Sequence, residues 1–236
     1  MNRNITPQTN GLIKSKKRVA DHGEVFTPKN IVDDMLNLVK NETERIDSRF
    51  LEPACGNGNF LIEILRRKLN IVKERYKKNQ TEYERYAVIA VSSCYGVDLL
   101  EDNCIECRDR LTRYFEQEYK AIYKKNVRTQ IIKVVNYIIS KNIICGDALT
   151  LKRADGEPIV FCEWSAVNDV KMKRRDFTLA NLLETENYYA KKSEDEVSFF
   201  SMLREQGTDL ITPKAVGEFP IMKFDELTNM EDKTNG

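Results

Sequence analysis

The sequence predicts an α/β fold with a mostly parallel sheet and helices on both faces. Short apolar strands alternate with amphipathic helices, the first three strands end near a carboxylate, and a glycine turn leads from the first strand into a helix. With 236 residues, 41% of them apolar and 32% charged, the chain can form one core, or one core with a small appendage.

The predicted elements alternate along the first two thirds of the chain. The first helix begins at Thr27-Pro28, because threonine is a good N-cap and proline suits the first helical position. Strands are predicted at 49–52, 93–98, 142–147 and 158–162. Helices are predicted at 60–78, 83–91, 103–123 and 131–139.

Three regions follow from this pattern. We predict a flexible basic arm at 1–20, an α/β domain at 21–176, and a helical and loop-like extension at 177–236. A lead-in to the first helix is the alternative for the basic residues of the arm, 14–18.

Composition excludes several classes of protein. Lys plus Arg is 38 and Asp plus Glu is 37, so a DNA-binding face would have to be local. No apolar run approaches the roughly 20 residues that span a bilayer, and residues 1–6 lack an apolar signal core; we expect a cytoplasmic protein without membrane contact. Cys104-x-x-Cys107 has metal-type spacing, but there is no second pair and only one histidine, so we predict no metal.

The most informative segment is Glu52-Pro53-Ala54-Cys55-Gly56-Asn57-Gly58. A strand that enters such a turn and opens a helix brings backbone N–H groups close to a nucleotide-like ligand. Gly56 and Gly58 permit backbone angles and a close approach that a Cβ would block. A Gly-x-Gly alone is a weak signal, and the preceding Glu-Pro and the following Phe60 make it more specific.

Two aspartates complete the predicted site. Asp98 ends the second strand, where an acid can accept hydrogen bonds from both hydroxyls of a ribose; the alternative is a helix-capping or surface aspartate. Asp147 follows the third strand, where an acceptor can take an adenine amino group; the alternative is a common turn aspartate beside glycine. Because ligands bind at the carboxyl ends of parallel strands, we expect both to face one ligand.

These features, with Gly23-Glu24-Val25-Phe26-Thr27-Pro28 before the turn, resemble the adenine-N6 DNA methyltransferases of restriction–modification systems. The resemblance covers about residues 20–150. It implies the Rossmann-like sheet of class I methyltransferases, here incomplete at its C-terminal end, and the cofactor S-adenosylmethionine. The cofactor contacts that it implies are Phe26, Thr27, Pro28, Glu52, Ala54, Cys55, Gly56, Gly58, Asp98 and Asp147.

The catalytic half of that family's site is altered. Its Asn/Asp-Pro-Pro-Tyr/Phe loop, which holds the flipped adenine, is not in this sequence. The slot after the fourth strand offers Glu163, Trp164 and Asn168 as candidate catalytic residues. Glu163 could accept hydrogen bonds from the amine and Trp164 could stack on the base. The alternative is that Trp164 packs in the core and Glu163 is solvated.

The resemblance implies an S-adenosylmethionine-dependent DNA adenine-N6 methyltransferase-like subunit of a restriction–modification system. We expect a partner chain to supply DNA recognition, because about seventy residues after the fourth strand are few for further strands and a DNA-target domain. The basic cluster 171–175 could contact phosphates or be a solvated surface. The alternative function is a catalytically inactive cofactor-binding regulatory subunit or a truncated remnant. A methyltransferase for RNA, protein or a small molecule is a third hypothesis, against which Phe26-Thr27-Pro28 argues.

Overall fold

A computed structural model of the chain describes residues 12–168, 170–190 and 213–230. Its helices are α1 (Lys16–His22), α2 (Lys29–Leu38), α3 (Lys40–Thr43), α4 (Asn59–Tyr76), α5 (Gln80–Ser92), α6 (Glu101–Tyr123), α7 (Thr129–Asn142) and α8 (Leu179–Ala190). Its strands are β1 (Phe50–Glu52), β2 (Cys94–Asp98), β3 (Ile143–Cys145), β4 (Val160–Ala166), β5 (Lys171–Thr178), β6 (Gly217–Glu218) and β7 (Met222–Lys223). Within these described ranges, no helix is long and apolar enough to cross a membrane.

The first three strands form a parallel sheet in the order β1-β2-β3. Glu52 is in register with Gly96, and Asp98 with Cys145, so the carboxyl ends of the strands meet at one edge. The mixed α/β fold and the three strands are therefore confirmed. The third strand begins at Ile143, because α7 continues through Asn142.

One face of this sheet is covered by helices. Helices α4, α5, α6 and α7 pack against one another and against the strands. Their buried side chains form the larger core, whose most enclosed members include Leu61, Leu65, Leu69, Tyr83, Leu111, Phe115, Tyr119, Ile131 and Ile138. Burial of such side chains contributes roughly 1.5–3 kcal/mol each, so this layer holds the sheet in place.

The opposite face is covered mainly by a β-hairpin, which corrects the expectation of helices on both faces. Alternation along β2 directs Tyr95 and Val97 to this side. There they pack with Phe161 of β4 and Phe177 of β5, and Leu179 of α8 joins the same cluster. The Tyr95 hydroxyl also donates to the backbone oxygen of Cys162 at 2.9 Å.

The predicted fourth strand is real but belongs to a second sheet. Strand β4 pairs antiparallel with β5, from Val160↔Thr178 to Ala166↔Met172, and β6 and β7 pair with β5. The sequence pattern missed β5 because two of its buried positions are charged. Arg174 and Asp176 lie on the inner face and neutralise each other at 2.7 Å.

The N-terminal region also differs from expectation. Helix α2 begins at Lys29, and Pro28, with extended backbone, is its N-cap, so the predicted Thr27 cap is wrong. Residues 1–11 of the predicted arm lie outside the described residues. Residues 16–20 of the described remainder belong to α1, a helix that the sequence pattern did not predict. Ser15 caps α1 by accepting a hydrogen bond from the Arg18 N–H at 3.2 Å.

Candidate functional site

The predicted ligand edge is assembled by the parallel sheet. The Cys55 N–H donates to the Val97 carbonyl at 2.8 Å, which fixes the glycine turn at the end of β2. The Gly146 N–H donates to the Asp98 carbonyl at 2.9 Å, which places Asp147 beside the end of β2. Glu52, Asp98 and Asp147 therefore lie at the carboxyl ends of three adjacent strands, as the sequence predicts.

The glycine turn is determined by packing as well as by backbone angles. Gly56 and Gly58 have φ angles of 52° and 91°, in the left-handed region that favours glycine. A Cβ at Gly58 would lie 2.6 Å from the Cys107 Sγ of α6. Gly58 is thus required by the close approach of α6, a contact that the sequence pattern did not specify.

Asp98 is held by three N–H donors of its own chain. Its Oδ2 accepts from the Gly56 N–H at 2.9 Å. Its Oδ1 accepts from the Leu100 N–H at 2.9 Å and from the Asn103 Nδ2 at 3.1 Å. Since a carboxylate offers about four lone-pair sites, about one remains for a ligand hydroxyl. Both hydroxyls of a ribose could bind only if one of these donors moved.

Phe26 and Thr27 lie against the turn, although they are about thirty residues away in sequence. The Phe26 ring is 3.1 Å from the position that a Gly56 Cβ would occupy. The Asn59 side-chain amide donates to the Thr27 carbonyl at 2.9 Å. Pro28 follows directly and is the N-cap of α2, whose first-turn N–H groups and positive dipole end suit a carboxylate.

Of the remaining predicted cofactor residues, Glu52 and Asp147 contact their own loops, and Cys55 contacts α6. Glu52 accepts from the Ala54 N–H at 3.3 Å, and burial raises the pKa of its carboxyl. The Cys55 thiol is buried beneath the turn, and its hydrogen bond with Cys107, together with burial, raises its pKa. Asp147 accepts from the Leu149 N–H at 2.8 Å, a bond that lowers the pKa of Asp147.

The sequence pattern missed a charged network that centres on Asn103. This side chain is 1% exposed and contacts the N-terminal region as well as Asp98. Its Nδ2 donates to Glu24 at 2.7 Å, and its Oδ1 accepts from Lys14 at 2.8 Å and from Arg18 at 3.3 Å. Although burial opposes it, hydrogen bonds from Arg18 and Asn103 hold the pKa of Glu24 below its usual value.

A second clamp joins α6 to the glycine turn. Arg110 donates to the Asn57 carbonyl at 2.6 Å and to the Asn59 side chain at 3.0 Å. Glu106 accepts from the Asn57 side-chain amide at 3.0 Å. Charged side chains of α6 therefore hold the glycine turn in place. In the sequence these residues appear only as charges on the outer face of a helix, which does not indicate this contact.

The candidate catalytic residues do not join this site. Glu163 is buried and ion-paired with Arg49 at 3.0 Å and with Arg175, so it is not solvated as the alternative held. Because Arg49 precedes β1, Glu163 lies near the amino ends of the parallel strands, away from Asp98. It is therefore not an amine acceptor at the ligand edge.

Trp164 and Asn168 have structural partners as well. Trp164 is buried in the helical core and donates to the Asn142 Oδ1 at 2.9 Å, so the packing alternative is confirmed. Asn168 closes the β4–β5 turn by accepting from the backbone N–H groups of Val170 and Lys171 at 3.1 and 3.0 Å. Neither side chain is free to hold a flipped base in this arrangement.

The basic cluster 171–175 is largely neutralised. Lys173 pairs with Glu218 at 2.9 Å, and Arg174 pairs with Asp176. Arg175 pairs with Glu163 at 2.6 Å. DNA binding needs Lys and Arg side chains that are available to neutralise phosphates. Since most cations of this cluster are already paired with carboxylates, it gives little support to DNA binding by the chain.

Comparison with known proteins agrees with the geometry at the glycine turn. Residues 13–89 match the protein family described as N-6 DNA Methylase. In this region the chain is similar to the N-6 DNA methylases. The matched region includes Phe26, Thr27, Pro28 and the whole glycine turn, whereas Asp98 and Asp147 lie beyond it.

Two curated proteins are similar to part of this chain. The methylase subunit of the type I restriction enzyme MjaVII from Methanocaldococcus jannaschii is 40% identical over 79 residues, 32% of this chain and 13% of the relative. DNA methyltransferase A from Bacillus subtilis is 27% identical over 124 residues, 51% of this chain and 14% of the relative. The chain thus spans a small part of the length of either relative. No solved structure matches the chain.

Proposed function

We propose that this chain is the S-adenosylmethionine-binding part of an adenine-N6 DNA methyltransferase of a restriction–modification system. The contact between the Phe26 ring and the Gly56 turn carries the proposal. Both parts lie inside the region that matches the N-6 DNA methylases, and they meet at the carboxyl edge of a parallel sheet, where such folds bind ligands.

The residues of this edge suit the parts of the cofactor. The free N–H groups at the start of α2, next to Phe26 and Thr27, would bind the methionine carboxylate. Asp98 would accept one ribose hydroxyl through its remaining lone pair, and Asp147 would accept the adenine amino group. The cofactor supplies an electrophilic methyl group, and the role of this chain is to hold and orient it.

DNA recognition would come from a partner chain in the cytoplasm. Within cluster 171–175, Lys173, Arg174 and Arg175 are paired with carboxylates of the chain. One curated relative is named as the methylase subunit of a type I restriction enzyme, and this chain matches 13% of it. A partner that carries the target-recognition surface, and the loop that holds the adenine, would complete such an enzyme.

A regulatory cofactor-binding subunit without methyl transfer is the second candidate. It is favoured by Glu163, Trp164 and Asn168, which all have structural partners. The sequence also lacks the Asn-Pro-Pro-Tyr loop. Under this hypothesis the ligand edge would keep its affinity for the cofactor, while no combination of partners would methylate DNA.

Calorimetry with S-adenosylmethionine tests the shared part of both candidates. Asp98→Asn should weaken binding roughly 10- to 100-fold, since hydrogen bonds to a charged group contribute about 1.5–3 kcal/mol. Asp109→Asn, which removes an exposed carboxylate of α6, is the matched control. No heat of binding at millimolar cofactor, with the chain folded by circular dichroism, would refute the cofactor site.

Transfer of a tritiated methyl group separates the two candidates. Unmethylated genomic DNA is incubated with the chain, with and without the products of the neighbouring genes. Incorporation that needs both this chain and a partner supports the split methyltransferase. Cofactor binding without incorporation in any combination supports the regulatory subunit.

A further inference from the structure

We propose that Asn103 is a positioning residue that couples the N-terminal segment 12–26 to the cofactor acid Asp98. The inference rests on the proposed cofactor site and adds a residue outside the region that matches the family, 13–89. The inference requires three things of Asn103. Its side-chain amide must have one preferred orientation, it must orient the Asp98 carboxylate, and it must connect Asp98 to segment 12–26, which contains Phe26.

The orientation of the Asn103 amide is set by charge. Its NH2 group faces two carboxylates, Glu24 at 2.7 Å and Asp98 at 3.1 Å. Its oxygen faces two cations, Lys14 at 2.8 Å and Arg18 at 3.3 Å. A flipped amide would turn donors toward cations and the oxygen toward carboxylates. Since all four hydrogen-bonding positions are used and the side chain is 1% exposed, the amide is fixed in one state.

Asn103 also sets which oxygen of Asp98 is available. It shares Oδ1 with the Leu100 N–H, while Oδ2 accepts only from the Gly56 N–H among the described residues. The remaining lone pair of Asp98 is therefore on Oδ2, next to the glycine turn. Without Asn103 each oxygen would keep one backbone donor, and Oδ1 would also have a free lone pair. A ligand hydroxyl would then no longer be directed to Oδ2.

The Asn103 side chain also connects Asp98 to segment 12–26. Arg18 pairs with Glu24 at 2.6 Å and with Asp102, and Lys14 pairs with Glu106 at 2.8 Å. The Phe26 N–H donates to the Leu12 carbonyl at 2.8 Å, so this segment is closed into a loop whose far end lies on Gly56. A ligand that fixes Asp98 should therefore also reduce motion in residues 12–26. Conversely, ordering of residues 12–26 should restrict the Asp98 carboxylate.

Binding of S-adenosylhomocysteine and of its 2′- and 3′-deoxy forms tests the positioning role. Asn103→Leu should weaken S-adenosylhomocysteine binding roughly 10- to 100-fold. For the deoxy form that lacks the hydroxyl bound by Asp98, the loss should fall to about threefold or less, since the mutation and the missing hydroxyl affect one interaction. Asn136→Leu, an exposed position on α7, is the control and should bind all three ligands normally.

An equal loss for all three ligands would overturn the inference, because a purely structural effect of Asn103 does not depend on the hydroxyls. If the wild-type protein binds none of them, the proposed function fails instead, and a ligand-free measurement then decides the inference. In hydrogen exchange, Asp98→Asn and Asn103→Leu should both accelerate exchange in residues 12–26, and Asn136→Leu should not. Unchanged exchange in the Asp98→Asn protein would show that no coupling exists.

Discussion

Lys68 provides a quantitative test of how the edge strand β1 is held. This α4 lysine is fully buried, and its Nζ donates to the carbonyls of Ser48 and Ile46 and to the Ser93 Oγ at 2.5 Å. It also lies 5.1 Å from the centre of the Phe50 ring. One ammonium group thus ties the loop before β1 to the residue that precedes β2. Burial lowers the pKa of Lys68 to about 8.

The shift sets the sign and size of a pH dependence. The ordinary pKa of lysine, 10.5, applies to the unfolded chain, so between pH 8 and 10.5 the unfolded state holds more protons on this group than the folded state. The contribution of Lys68 to the free energy of unfolding should therefore rise with pH in that window and be constant outside it. About 2.5 pH units at about 1.4 kcal/mol each give a rise of about 3 kcal/mol.

Urea denaturation of the wild type and of Lys68→Met, from pH 7 to 10.5, measures this rise as a difference. The difference is needed because buried thiols with raised pKa values, such as Cys104 and Cys162, lower the stability of both proteins as pH increases. We expect wild-type stability to gain about 2–3 kcal/mol relative to Lys68→Met. Lys73→Met removes a half-buried lysine, paired with Glu118, from the same helix and is the control. A pH-independent difference for Lys68→Met would refute the reasoning.

Two further substitutions test the glycine turn and the helical core. Gly58→Ala should cost roughly 1–3 kcal/mol more in unfolding free energy than Gly156→Ala, because both glycines have positive φ but only Gly58 faces the Cys107 Sγ; equal losses would exclude the contact. Trp164→Phe should lower the unfolding free energy by about 1–3 kcal/mol, because the buried Asn142 Oδ1 loses its indole donor, and should leave cofactor affinity unchanged. An unchanged unfolding free energy for Trp164→Phe would contradict the role of the indole hydrogen bond.

Local patterns were sufficient for the part of the fold that carries the ligand edge. Each of the first three strands is a short apolar run beside an amphipathic helix, and the glycine turn needs two glycines at a fixed spacing. These signals lie within a few residues of one another, so the sequence predicts them without long-range information. The contact of Phe26 with Gly56 was accessible only through the family resemblance, because nothing local relates the two segments.

The missed features depend on contacts between distant residues. Asn103 is surrounded by charges, and its partner Glu24 is 79 positions away in sequence, so its pattern is that of a surface helix. Strand β5 has Arg174 and Asp176 at inward positions, which disguises the alternation expected of a half-buried strand. Asn103 is a buried amide among paired charges, and Arg174 and Asp176 are buried charges that neutralise each other. A pattern of apolar positions reveals neither arrangement.

The position of Glu163 limits how the chain could take part in methyl transfer. An acceptor for the adenine amine must lie near the sulfonium methyl, at the carboxyl ends of the parallel strands, where Asp98 and the glycine turn are. Glu163 is instead held by Arg49, before the amino end of β1, and a strand of three residues separates the two ends by about 10 Å. Rotating its side chain cannot cover this distance without breaking the two ion pairs of a buried carboxylate. A methyl acceptor that reaches the cofactor would therefore have to be held by groups other than Glu163, which is the role that the proposal gives to a partner chain.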